Sequence, residues 1–195
     1  MVTSGSATHM HYKLWILIAV GLFVIGIGAG LAISATMPAN ITGLLSEELS
    51  TLEKLGTIFG PFQATTAIFI FLKNASALLF SFIFSPILCL LPIIALAFNG
   101  LIISFISVIV AQEESLGFLL AGILPHGIFE IPALIIGEAA ALSFGAMAIV
   151  ALIFPKRRRR LLPNLKQNLR YLVLAFILLV PAAIIETFVT PLFLQ

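Results

Sequence analysis

The chain has 195 residues, of which 61% are hydrophobic and only 9% charged, with a formal net charge of +2 and a mean hydropathy of +1.21. Soluble globular domains carry about 25% charged residues, so a water-soluble fold is excluded and an integral membrane protein is expected. Apolar stretches of about 20 residues, enough to cross a bilayer, recur along the chain and leave little length for a separate aqueous domain.

Residues 1–9 read as an expression leader and residues 10–195 as a single integral membrane domain. Residues 14–35 contain no charge and are too long for the apolar region of a signal peptide, so they form the first span. Within it Gly26, Gly30 and Ser34 recur every four residues, the small-residue spacing that lets helix backbones approach closely in lipid. Pro38 and Asn40 end this span. Over residues 41–60 the apolar Leu44, Leu45, Leu49, Leu52, Leu55 and Ile58 alternate at helical period with Glu47, Glu48, Glu53 and Lys54, which predicts an amphipathic helix on the membrane surface.

The second span is expected over residues 62–84, with Lys73 and Asn74 near its middle. Ser85-Pro86 separates it from a third span over 86–110, which carries Asn99. The lone Cys89 supports no disulfide framework and reads as a small core residue. Gln112, Glu113, Glu114 and Ser115 form the next loop. Residues 118–154 lack a polar turn yet exceed one ordinary span. Pro125 is therefore expected to divide them into a short approach segment, suited to a re-entrant half-helix, and a fourth span over 126–154. A helix starting there leaves the amides of His126, Gly127 and Ile128 unpaired and attractive to anions. Pro132 predicts a kink beside Glu130, and Gly137 and Gly145 keep one side of the helix thin for packing.

Lys156, Arg157, Arg158, Arg159 and Arg160 follow Pro155, and Lys166 and Arg170 bring seven of the ten basic residues into one connection. Such clusters mark the cytoplasmic side of a transmembrane helix and contact anionic lipid, in preference to nucleic acid. A fifth span over 171–189 closes at Pro191. The expected fold is an all-α polytopic transmembrane bundle of about five spans in the cell membrane, with the N-terminus cytoplasmic and the C-terminus outside. That topology also places Glu47, Glu48, Glu53, Glu113 and Glu114 outside.

Few strong polar groups remain at membrane depth: Lys73, Asn74, Asn99, His126, Glu130, Glu138 and Glu186. Ionisable groups there are costly and read first as functional. His126 and Glu130, four apart, share a helix face, whereas Glu138 is rotated from them by roughly 80°. Glu186, in the outward half of the fifth span, lies near the same depth as His126 and Glu130. Three readings compete: a polar core that fixes helix register, a divalent metal or ion site using His126, Glu130 and Glu186, and proton-linked transport or binding of a small solute. Hydrolysis is least supported, since the chain has no His-Glu-x-x-His pair, no aspartate and no Gly-x-Ser-x-Gly turn at Ser143. Gly26-x-Gly28-x-Gly30 follows no strand and is not a dinucleotide loop.

Lys73-Asn74, Phe98-Asn99-Gly100, Leu124-Pro125-His126-Gly127 with Glu130, Gly137-Glu138-Ala139-Ala140 and Glu186-Thr187-Phe188-Val189-Thr190-Pro191 together resemble the stage II sporulation protein M family of small bacterial and archaeal membrane proteins, over essentially residues 10–195. The sporulation member looks like a membrane scaffold for partners that degrade cell-wall peptidoglycan. The resemblance implies a helical membrane fold and a subunit role in a complex. The leading reading is thus a non-enzymatic scaffold that assembles as a homo-oligomer or with other membrane or envelope proteins through the glycine faces of its first and fourth helices. The rival reading is a carrier or metal-binding protein that holds its ligand on His126, Glu130 and Glu186.

Overall fold

The computed structural model describes residues 4–36, 60–87 and 89–194. The surface helix expected over residues 41–60 falls outside them, apart from Gly60. The described elements are α1 (Ser4–Thr36), α2 (Ala64–Phe84), α3 (Leu90–Glu113), α4 (Leu116–Ile153), a short 3-10 helix (Pro155–Arg160), α5 (Leu161–Phe188) and the single turn α6 (Thr190–Phe193). Among the described residues five helices are long and apolar enough to cross a membrane. Helices are what hydrocarbon demands, because each pairs its backbone N–H and C=O groups internally where no water is present. The all-α polytopic bundle is as the composition requires.

Two helix pairs dominate the packing, α1 with α3 and α4 with α5, and α2 lies against α4 and α5. The first pair meets backbone to backbone. A Cβ added at Gly26 would strike the Ala97 carbonyl, one at Gly30 the Leu101 carbonyl and the Ser104 hydroxyl, and one at Gly100 of α3 the Phe23 carbonyl. Glycines on both helices therefore create the contact, through the close approach that small residues permit in lipid.

In α4 a Cβ at Gly137 would press on Leu78 of α2, 2.9 Å away, and one at Gly145 on the Ser85 carbonyl at the α2–α3 turn, 2.5 Å away. The expectation that these thin faces of α1 and α4 are surfaces for partners needs correction: Gly26, Gly30, Gly137 and Gly145 all face other helices of the same chain. Close packing is the reason, since a five-helix bundle brings its narrowest faces together first.

The expected division at Pro125 is also corrected. α4 runs unbroken from Leu116 to Ile153 with Pro125 and Pro132 inside it, so there is no re-entrant half-helix over 118–125. Its start is set by Ser115, whose hydroxyl accepts the Phe118 N–H at 3.1 Å as an N-cap. Pro125 forfeits the bond to the Ala121 carbonyl and Pro132 that to Ile128, but ending the helix in hydrocarbon would orphan several such groups. One missing bond is the smaller cost. The free amides expected at His126 to Ile128 consequently lie inside a helix and form no anion-attracting terminus. At 38 residues α4 is about 57 Å long, nearly twice the ~30 Å hydrocarbon thickness, so it tilts or projects past it.

The basic run is likewise helical, as the 3-10 turn that leads into α5 ten residues ahead of the expected start of the fifth span. The core centres on α4, where Ala133, Ala139, Ala140, Ala141 and Leu142 are buried beside Leu172, Ala175 and Leu179 of α5. Tyr12 ties α1 to this core: its ring stacks on Tyr171 at 3.4 Å and its hydroxyl donates to the Ile136 carbonyl at 3.0 Å. Phe62, with a left-handed φ of 64°, donates its N–H to the Thr187 carbonyl at 3.2 Å and so fastens the chain before α2 to the end of α5.

Candidate functional site: a carboxylate-lined cavity in the bundle

Asn74 on α2, Asn99 on α3, His126, Glu130 and Glu138 on α4, and Glu186 on α5 all line one cavity of about 300 Å³. Six of the seven polar positions singled out in the sequence, all but Lys73, are thus brought to a single space by four helices. The i, i+4 spacing of His126 and Glu130 aims both side chains the same way, and their Nε2 and Oε2 atoms stand 3.8 Å apart. Glu186 reaches this pair from α5, so that one ligand-type atom from each of the three residues lies within 4.8 Å of the others.

The neighbours hold these groups unevenly. Asn74 donates its amide to Glu130 Oε1 at 3.0 Å, the one hydrogen bond between helices that Glu130 receives among the described residues. His126 Nδ1 lies 3.4 Å from the Thr190 hydroxyl of α6, a partner that sets which way the ring faces. Asn99 lines the cavity but donates to the Ala95 carbonyl of its own helix at 2.8 Å. Glu138 sits deeper, only 2% exposed, and takes the Ser81 hydroxyl at 2.5 Å. It stands apart from the His126–Glu130–Glu186 triad, as its rotation on the helix demands.

Among the described residues no lysine or arginine lines this cavity. Lys73, beside Asn74, is exposed and lies outside the lining. With three carboxyl groups around one imidazole, the cavity suits a positively charged occupant. A nitrogen and two oxygens match the mixed ligand sets of zinc and of other first-row metals. Tetrahedral zinc with bonds of ~2.1 Å requires ligand atoms about 3.4 Å apart. The 3.8 Å His126–Glu130 separation is close to that, and a Glu186 carboxylate oxygen lies within 4.8 Å of both partners.

Sequence reasoning missed Ser81 and Thr190, which hold Glu138 and His126. A hydroxyl in an apolar helix carries no signal until its neighbour across the interface is known. It also missed a second polar group toward the other end of the bundle, where the Asn168 amide donates to the Ser143 hydroxyl at 3.2 Å and to Asn164 Oδ1 at 2.9 Å. Asn168 is 1% exposed, and its own Oδ1 finds no partner. Both asparagines fall in a stretch whose Lys166 and Arg170 make it read as an aqueous loop.

Beside this group lies a second cavity of about 750 Å³, centred near Met147 and so roughly 25 Å farther along α4 than Glu130. Arg157, Arg159 and Arg160 line it. Lys156 does not, and Arg158 instead donates its Nε–H to the Ala151 carbonyl at 3.3 Å.

No solved structure matches the chain. Two uncharacterised proteins of Methanocaldococcus jannaschii resemble it: MJ0793 is 35% identical over 99 residues, covering 50% of this chain and 56% of that protein, and MJ0706 is 34% identical over 110 residues, covering 55% and 50%. The chain thus spans about half the length of the curated relatives it matches. The family model described as stage II sporulation protein M matches residues 19–191, from the first span through the turn after the fifth and across every residue of the carboxylate cavity. This multi-pass helical protein belongs to the stage II sporulation protein M family.

Proposed function

We propose that the protein is a membrane carrier or ion-binding subunit that holds a divalent cation on His126, Glu130 and Glu186. The observation that carries this reading is the convergence of an imidazole and two carboxylates within 4.8 Å on an open cavity of about 300 Å³. The rival is a scaffold whose polar groups serve only to fix helix register. Groups of that kind satisfy one another, because unpaired polar atoms in hydrocarbon are expensive. Here His126 and Glu130 stop short of hydrogen-bond distance, and the carboxylates of Glu130 and Glu186 face one space with no lysine or arginine among the described residues of its lining. Membership in a complex, with itself or with other membrane proteins, is compatible with an ion site and uses surfaces other than the glycine faces. In the proposed orientation the basic run is cytoplasmic and the ion site opens toward the outer half of the membrane.

Elemental analysis of protein purified without chelator, lacking residues 1–9 so that His9 contributes nothing, tests the reading. One zinc or manganese ion per chain is expected, lost in His126→Ala and Glu186→Gln and retained in the loop variant Glu113→Gln. Absence of metal from a folded wild type, with both site variants destabilised, overturns it in favour of the scaffold.

A further inference from the structure

We propose that the second cavity is a binding site for the phosphate-bearing head group of an anionic lipid, built by Arg157, Arg159 and Arg160. It is distinct from the carboxylate cavity, and the bundle separates the two. Its walls come from the start of α1, the last turns of α4, the 3-10 helix and the first turns of α5. Of the twelve described residues that line it, none is acidic. Among the described residues, therefore, three guanidinium groups share one concavity with no carboxylate in its lining, and none of the three has a protein acceptor. An arrangement of paired donors without acceptors is complementary to phosphodiester oxygens, which guanidinium groups bind two at a time.

The rest of the lining fits a lipid better than a free anion. Ala146, Met147 and Val150 of α4 supply an apolar wall below the arginines, where the acyl chains of a bound lipid would lie. Trp15 also lines it; tryptophan favours head-group depth because its ring is apolar and its N–H polar. The five-residue basic run is thereby divided. Arg157, Arg159 and Arg160 face a pocket, Arg158 is held by the Ala151 carbonyl, and Lys156 lies outside the lining. A run that only marks topology has no reason to treat its members differently; a head-group site does.

The division makes the proposal testable, and the protein carries its own probe, since Trp15 is the only tryptophan. The full-length protein is placed in phosphatidylcholine nanodiscs containing phosphatidylglycerol, with bromine on the acyl chains of one lipid at a time. Brominated phosphatidylglycerol is expected to quench Trp15 well beyond its mole fraction, and each arginine removed from the pocket lowers that preference about fivefold. The variant Arg157→Gln/Arg159→Gln/Arg160→Gln then shows none. The control Lys156→Gln/Lys166→Gln/Arg170→Gln removes the same charge and keeps the wild-type preference. The single variant Arg159→Gln gives the same reading with less disturbance if the triple variant does not fold. Equal loss in pocket and control variants overturns the site in favour of diffuse attraction. Relief of quenching by millimolar inorganic phosphate overturns the lipid and assigns the arginines to a free anion.

Discussion

Glu130 and Glu138 lie eight residues apart on α4, yet their surroundings assign them different work. Glu138 is sealed against Ser81, and removing that hydroxyl strands a buried acceptor, which costs about 1–3 kcal/mol. Ser81→Ala should lower stability by that amount in reversible unfolding from detergent micelles while leaving bound metal unchanged. Unaltered stability would mean that Glu138 has another partner. Among the described residues Glu130 accepts one hydrogen bond, from Asn74, while its other oxygen faces His126 at 3.8 Å and remains free to approach a ligand. Partners that orient a ligand in this way typically contribute 10–100-fold to metal affinity, so Asn74→Ala should weaken zinc binding by that factor in competition with a chelator of known affinity. An unchanged affinity would sink Asn74 as a positioning residue. His126, Glu130 and Glu186 were legible in the sequence because ionisable groups stand out in an apolar chain. Ser81, Thr190 and Asn168 were not, because a hydroxyl or amide in a helix is ordinary until its neighbour is known.

The elements show where lipid changes familiar rules. Proline usually ends a helix, and Pro125 led to the expectation of a division there, but α4 runs through it because the alternative leaves more backbone unpaired. Pro125→Ala should restore the bond to Ala121, leave the span count at five, and raise stability by up to about 3 kcal/mol. Lower stability would show that packing around the ring outweighs the lost bond. The glycines of α1 behave as their spacing indicates, but inside the chain, against α3. Gly26→Val would push α1 off the Ala97 carbonyl, and overpacking of this kind costs about 1–3 kcal/mol or more. A matching fall in thermal stability, larger than for Gly21→Val, where nothing lies within 4 Å, is the expected result. Equal effects at the two positions would deny the crossing its role.

On the scale of the whole molecule, five membrane-spanning helices put the basic run and the end of α5 on opposite faces. With Cys89 changed to Ser, a single cysteine at position 159 should react with impermeant reagent only after the cell is opened, and one at 192 should react from outside. The reverse pattern overturns the proposed orientation. Reaction of both from the same side overturns the span count. The membrane class, the number of spans, the family and the ionisable residues of the site were legible in the chain, because hydropathy and the rarity of charge in lipid are properties of composition and order along it. Helix packing was needed to show that six polar residues from four helices share one cavity, that the glycine faces are filled by the chain itself, and that three of five consecutive basic residues meet in a pocket. Each of these depends on how helices distant in sequence rotate and cross. That is fixed by side-chain packing between them, which periodicity within one helix does not record.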